Sequence, residues 1–328
     1  MTGNRAATVV ARAPGRVKII SLLLVLGACL SCGDILPAAN DGASRHGAGK
    51  NSPAWCTTND RPQSNNAPPT KLAYSIVDRY PHRPDAYTQG LLFRDGYLYE
   101  STGRYGESNF ARFKPGSSNV ELLWQLPDDR FGEGLALLDD VFYLLTWKSG
   151  QVFRFALQAG DGIQDQGTQN NSGDGNPANN LNQAQNAKLN KSALAPLQLQ
   201  GEGWGLTEDG RHLWSSDGSS TLSLRRASDL QLLRQLEVHM LGRPTQWLNE
   251  LEWIEGCIVA NIWRSDTLVV IRPDTGVVTH TLDLGAIARR ERKLGGEATN
   301  GIALRHDNGH WLLTGKNWPH IYEISLQR

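Results

Sequence analysis

Nine side chains able to bind or react stand at equivalent points of a pattern that recurs five times. The copies are Thr88-Gln89-Gly90-Leu91, Gly132-Glu133-Gly134-Leu135, Gly203-Trp204-Gly205-Leu206, Leu248-Asn249-Glu250-Leu251 and Thr299-Asn300-Gly301-Ile302. About a dozen residues further on, the units end at Gly103, Trp147, Asp217, Trp263 and Lys316. The chemical content is uneven. Glu133 supplies a carboxylate, with Glu202 and Glu250 as further candidates. Gln89, Asn249 and Asn300 supply amides, Lys316 an ammonium, and Trp147, Trp204 and Trp263 flat aromatic faces. Such a set can hold a polar, amide-bearing ligand between aromatic walls, with one titratable group to move protons. No Ser-His-Asp set falls on the repeat. His82, His212, His239, His280, His306, His310 and His320 all miss the repeated positions, so no zinc site is expected.

These positions converge only if the units form a ring. Each copy opens a hairpin. Leu91-Leu92-Phe93, the turn Arg94-Asp95-Gly96 and Tyr97-Leu98-Tyr99 make one with Asp-Gly turn chemistry. Leu206-Thr207-Glu208-Asp209-Gly210-Arg211-His212-Leu213-Trp214 repeats that logic, and third and fourth strands follow, as at 110–113 and 120–123. The repeat steps run from 90 to 134, 134 to 205, 205 to 250 and 250 to 301, which is 44, 71, 45 and 51 residues. A period near 45 is that of a four-stranded propeller blade. No segment sustains helical apolar spacing over three turns. The expected fold is all-β, a five-bladed β-propeller. Its last blade has only three strands of its own, ending at 321–326, so the strand at 72–77 should supply the fourth and close the ring. The leading loops and the second-strand ends then cluster at one end of the central channel.

The long step has a visible cause. Residues 158–195 are rich in Asn, Gln and Gly and nearly free of aliphatic side chains, so they read as a disordered insertion. A charged stretch at 288–297 reads as a solvated loop or short helix. The chain of 328 residues balances 33 basic against 33 acidic side chains, which argues against a nucleic-acid partner. Ten Trp against two Met suits a domain with aromatic binding surfaces.

The N-terminus reads as an export signal. Arg5, Arg12, Arg16 and Lys18 precede the apolar run 19–26, too short to span a bilayer. Leu26-Gly27-Ala28-Cys29 looks like a bacterial lipobox, which makes 1–28 a signal peptide and Cys29 the lipidated first residue of the mature protein. Cleavage by an ordinary signal peptidase is the alternative. Residues 29–70 read as a flexible tether and 71–328 as the propeller domain. The expected location is the periplasm, anchored by lipid in the cell envelope, with the outer membrane favoured because Leu30 follows Cys29. In that oxidising compartment Cys56 and Cys257 could pair, or remain two buried thiols.

Residue types alone leave a catalytic site and a binding or scaffold propeller both open. The ordered blocks then tilt the balance. Tyr80-Pro81-His82, Tyr87-Thr88-Gln89-Gly90-Leu91, Tyr99-Glu100-Ser101-Thr102-Gly103-Arg104-Tyr105-Gly106 and Leu145-Thr146-Trp147-Lys148-Ser149-Gly150 lead the series. Gly201-Glu202-Gly203-Trp204-Gly205-Leu206, Leu248-Asn249-Glu250-Leu251-Glu252, Ala260-Asn261-Ile262-Trp263 and Thr314-Gly315-Lys316-Asn317-Trp318-Pro319 continue it. From about Tyr74 to Ile324 the chain resembles the plant and bacterial glutaminyl-peptide cyclotransferases. The resemblance implies a five-bladed propeller enzyme without cofactor or metal. It would convert N-terminal glutaminyl residues of peptides or proteins to pyroglutamyl and release ammonia.

The family's proposed site residues carry over to Gln89, Glu133, Trp147, Trp204, Asn249, Trp263 and Lys316. The expected catalytic set is Glu133 as general acid and base with Lys316, Asn249 and Gln89. Trp147, Trp204, Trp263 and Asn300 are the expected substrate-binding residues. Two alternatives stand beside this reading. One is a non-catalytic, lipid-anchored propeller that binds peptides or a partner. The other is a calcium-dependent lactonase-like propeller using Glu133, Asn249 and Asn300. A monomer is expected in either case.

Overall fold

The computed structural model describes residues 56, 66–157 and 193–327. Residues 1–28 with Cys29, most of the 29–70 tether and most of the 158–195 stretch lie outside the described residues. The fold is all-β and propeller-like, with one helix among the described residues.

The chain begins with β1 (Thr70–Pro81). Then come β2 (Thr88–Arg94), β3 (Tyr97–Thr102), β4 (Asn109–Phe113) and β5 (Val120–Gln125), which form a four-stranded sheet in chain order. A second such sheet holds β6 (Gly132–Leu138), β7 (Val141–Thr146), β8 (Gln151–Ala156) and β9 (Ala193–Gln198). A third holds β10 (Leu206–Glu208), β11 (His212–Ser215), β12 (Thr221–Arg226) and β13 (Leu232–Glu237). A small hairpin follows, β14 (His239–Met240) with β15 (Arg243–Pro244). The remaining strands are β16 (Leu248–Ile254), β17 (Cys257–Ile262), β18 (Thr267–Ile271) and β19 (Val278–Asp283), then, after helix α1 (Gly285–Arg292), β20 (Thr299–Leu304), β21 (Trp311–Gly315) and β22 (His320–Gln327). They join one eight-stranded sheet in the order β16-β17-β18-β19-β1-β22-β21-β20.

β1 is what welds that sheet together. It pairs antiparallel with β22 from Ala73–Gln327 to Pro81–His320, and parallel with β19 over Thr70–Leu72. The first strand thus lies beside the last, as the strand count of the final unit requires. It is longer than the alternating segment 72–77, because main-chain pairing continues past the apolar residues. The leading strands of the units also neighbour one another in a closed cycle: β2 beside β6, β6 beside β10, β10 beside β16, β16 beside β20, and β20 beside β2.

Their glycines set the spacing. A Cβ on Gly90 would lie 2.5 Å from Leu135 N, one on Gly134 2.4 Å from Leu206 N, and one on Gly205 1.9 Å from Asn249 O. At these three junctions, β2 on β6, β6 on β10 and β10 on β16, backbone packs on backbone and only glycine leaves the room. Apolar residues on the sheet faces fill the spaces between neighbouring sheets, as where Tyr99, Phe110, Phe142 and Phe155 pack together.

One expectation needs correction and another is sharpened. The insertion was bounded at 195, but β9 begins at Ala193 and pairs with β8. Ala193, Leu194 and Ala195 are exposed, so this outer strand is held by ladder hydrogen bonds that composition does not announce. It tolerates Pro196 because it lies at the sheet edge. The charged stretch at 288–297 begins in α1, the short helix that is one of its two expected forms, but that helix has a buried side. Ile287, Ala288 and Glu291 of α1 are buried, and Glu291 meets Tyr322 Oη and His320 Nδ1. Cys56 and Cys257 form a disulfide that ties the start of the described chain to β17.

Candidate active site

The repeat aims its side chains by a local fault. In β2, β6, β16 and β20 the strand register slips within the opening tripeptide, between Thr88 and Gly90, Gly132 and Leu135, Leu248 and Leu251, and Thr299 and Ile302. A bulge leaves a residue out of the ladder and re-aims it. The residues so released include Gln89, Glu133, Asn249 and Asn300, and all four are buried. Trp204 lies just ahead of β10, outside any strand.

The backbone near these bulges is latched from neighbouring sheets. Ser101 Oγ donates to Glu133 O at 2.5 Å, and Ser216 Oγ donates to Asn249 O at 2.7 Å. Gly301 N–H donates to Asn261 Oδ1 at 3.1 Å. Asn300 Nδ2 donates to Gln89 Oε1 at 3.1 Å and to Thr88 O at 2.9 Å, joining β20 to β2. The Asn300 and Asn249 Oδ1 atoms are buried acceptors without a partner among the described residues.

A second backbone bond repeats around the ring. Gly103, Trp147, Trp263 and Lys316 each donate their N–H to the residue just before a tripeptide, namely Tyr87, Phe131, Trp247 and Ala298, at 2.8 to 3.0 Å. It fixes the ends of the second strands against the leading loops. The third unit departs from this, with Trp204 N–H on Ser216 O instead. Asp217 is exposed and caps its own turn through Ser219 N–H, so it serves as a turn residue rather than a pocket group.

These positions build a continuous wall. Lys316 Nζ sits 4.7 Å from the centre of the Tyr87 ring. Tyr87 meets Phe131 at 6.2 Å, and Phe131 meets Trp147 edge to face at 5.6 Å. Glu202 Oε2 accepts from both indoles, from Trp147 Nε1 at 2.7 Å and Trp204 Nε1 at 3.1 Å. Trp204 meets Trp263 edge to face at 5.8 Å, and Trp247 lies 5.3 Å from Trp263. Gly103 is needed for this packing, since a Cβ there would lie 2.3 Å from the Phe131 ring.

The electrostatics centre on two groups. Glu133 is 5% exposed and Lys316 4% exposed. Burial pushes the Glu133 carboxyl well above the usual carboxylate range; Lys316 opposes that rise and Glu202 adds to it. Burial pulls the Lys316 ammonium below its usual value, opposed by Glu133 and Glu297. The two feel each other's charge, yet no direct ion pair joins them among the described residues. A buried carboxyl with a raised pKa beside a buried cation is a group poised to take and return a proton.

Glu250, the other carboxylate candidate, stands apart. Its rise comes from burial and from Glu252, and is opposed by the N–H groups of Leu91 and Ile302. His82 is committed elsewhere, 2.9 Å from Glu100, whose carboxyl is held down at about 2 against its own burial by His82, Arg83 and Thr88. Among the described residues no three His, Cys, Asp or Glu side chains gather to hold a metal ion.

Among the eight residues expected from the sequence, contacts join Gln89 to Asn300, Trp147 to Trp204 through Glu202, and Trp204 to Trp263; Glu133 and Lys316 feel each other's charge, and the Asn249 backbone lies beside Gly205. Sequence reasoning missed Tyr87, Phe131 and Trp247. The signal was present, because all three occupy the repeat position one before the tripeptide, which Glu202 fills two residues before Trp204.

Comparison with known proteins bears on the same residues. The profile of the family described as glutamine cyclotransferase matches residues 52–175 and 179–326. Glutaminyl-peptide cyclotransferase of Arabidopsis thaliana is 32% identical over 258 residues, covering 77% of this chain and 71% of the relative. The crystal structure of Myxococcus xanthus glutaminyl cyclase is similar with a TM-score of 0.63 and 29% identity, covering 79% of this chain and 98% of that one. The chain therefore belongs to the glutamine cyclotransferase family.

Proposed function

We propose that this chain is a glutaminyl-peptide cyclotransferase that closes N-terminal glutaminyl residues of peptides or proteins to pyroglutamyl and releases ammonia. Buried Glu133, which feels the charge of Lys316 and acts in turn on Tyr87 of the aromatic wall, is the observation that carries the reading. The frame is a five-bladed propeller. Three blades are the separate four-stranded sheets, one is β16–β19, and the last is β20–β22 completed by β1.

The chemistry follows from the site. The substrate's neutral α-amine attacks its own γ-carbonyl carbon, forming the ring C–N bond and a tetrahedral oxyanion. Because the reaction is intramolecular, holding the reactive rotamer supplies much of the acceleration. An α-amine with a pKa of about 7.7–8.0 is readily neutral near that pH. Glu133 as carboxylate takes a proton from the attacking nitrogen, then gives it to the departing amide nitrogen as the second C–N bond breaks, and ammonia leaves. Lys316, with Gln89 or Asn249, stabilises the oxyanion. The unpartnered Oδ1 atoms of Asn249 and Asn300 are suited to accept N–H groups from the substrate. Trp147, Trp204 and Trp263 enclose the glutaminyl side chain and exclude the water that would hydrolyse it to glutamate.

This proton path needs no metal and no cofactor. The enzyme is further proposed to be a monomer, exported and anchored by a lipid on Cys29 through the 29–70 tether, in the periplasm and on the outer membrane. Ammonia release from Gln-, Glu- and Asn-initiated peptides, with and without a strong chelator, tests the reading. Turnover of the Gln peptide alone, undiminished by the chelator, is expected. Activity lost to the chelator and restored by zinc or calcium would overturn the metal-free mechanism. Absence of turnover would favour the binding propeller.

A further inference from the structure

We infer that the hollow beside Trp247 seats the second and third residues of the substrate peptide and favours apolar side chains there. The inference rests on the activity proposed above and adds a substrate preference to it. The hollow has a volume of about 680 Å³ and is lined by residues 240, 241 and 243–247, with Met240, Leu241, Pro244 and Trp247 beside the polar Arg243, Thr245 and Gln246. Leu241 and Trp247 are each 51% exposed, so two large apolar side chains face solvent within eight residues of chain. Exposed apolar surface gathered at one place marks a binding surface more often than scattered single residues do.

Continuity with the catalytic pocket identifies the occupant. The Trp247 ring lies 6.5 Å from Trp204 and 5.3 Å from Trp263, so one face of the pocket wall is also the edge of the hollow. An extended chain advances roughly 3.3–3.6 Å per residue. A peptide whose first residue lies against Trp204 therefore reaches the far side of Trp247 within about two residues. Free glutamine has nothing to place there, whereas a peptide or protein N-terminus does.

The backbone is arranged to present these groups. Trp247 holds a φ of +68°, an outlier for a bulky residue. It is fixed there because its N–H donates to Gly218 O at 2.9 Å and its carbonyl accepts from Trp263 N–H at 2.8 Å. Such strain gathers at functional sites, where surrounding contacts over-determine it. Leu241 and Gly242 also have positive φ, 54° and 69°, and form the tight turn between β14 and β15 that lifts Leu241 outward.

The experiment compares kcat/KM for ammonia release from glutaminamide, Gln-Ser-Ser-amide and Gln-Leu-Leu-amide. It uses the wild type, Leu241→Asn and Trp247→Asn; Asn tolerates the left-handed backbone at both positions. The wild type should prefer Gln-Leu-Leu-amide over Gln-Ser-Ser-amide by about tenfold, the scale of a small apolar difference in a pocket. In both variants that ratio should fall toward one. A wild type without preference, or variants that keep it, would overturn the subsite. Failure of the wild type to release ammonia from any of the three would instead overturn the activity itself.

Discussion

Glu133 and Lys316 do opposite things to each other's proton affinity, and that gives the site a signature in pH. In the proposed mechanism Glu133 must be ionised to accept the amine proton. Its pKa is raised, so activity should fall as pH drops through a value above the ordinary carboxylate range. The neighbours set where that limb lies. Glu202 raises the Glu133 pKa and Lys316 lowers it. Glu202→Gln should therefore move the acid limb of kcat/KM to lower pH, and Lys316→Met should move it to higher pH, whatever each does to the maximum rate. Shifts of the same sign, or none, would show that Glu133 is not the group titrating. Tyr87, Phe131 and Trp247 belong to this scale too. Their shared repeat position was legible but their role was not, because an aromatic residue ahead of a strand looks the same whether it fills a core or walls a pocket. Trp247 also takes a backbone conformation that its residue type argues against.

Elements explain why the tripeptides were legible. Four of the five mark a bulge, and Gly90, Gly134 and Gly205 sit where neighbouring backbones touch, so a short glycine-bearing tripeptide recurs in four of the units. What composition could not show was pairing without side-chain burial, as in exposed β9, or the buried side of α1 within a run of arginines. β1 is a similar case. Ile76 and Val77 are about half exposed, yet the strand joins β19 and β22 through its main chain. Truncation through Asp78 removes most of that ladder and leaves the edges of two blades open. Cooperative thermal unfolding should be lost in the truncated protein. A melting temperature equal to that of the full chain would contradict the role given to β1.

For the whole molecule, near-symmetry builds the ring and its breaking makes the site. Five similar leading strands pack in a cycle, while the side chains at their equivalent position are Gln89, Glu133, Trp204, Asn249 and Asn300. The order of blocks in the sequence carried this, because the recurring hairpins announce the scaffold and the middle residue of each tripeptide, Gln, Glu, Trp or Asn, announces the exception. The Cys56–Cys257 disulfide adds a long-range tie, spanning 201 residues of sequence. Replacing both by Ser should lower the unfolding free energy by about 2–4 kcal/mol in denaturant titrations. Equal midpoints would show that the tie contributes nothing to the fold.

The central claim is that Glu133 moves the proton in a cyclisation that the ring encloses. The most direct measurement is the rate of ammonia release from a Gln-initiated peptide by Glu133→Gln, with its thermal melt recorded beside the wild type. The account predicts a fall in kcat of about 10²-fold or more, the scale of lost general acid–base catalysis, in a protein that still melts cooperatively. Wild-type turnover by that variant would contradict it.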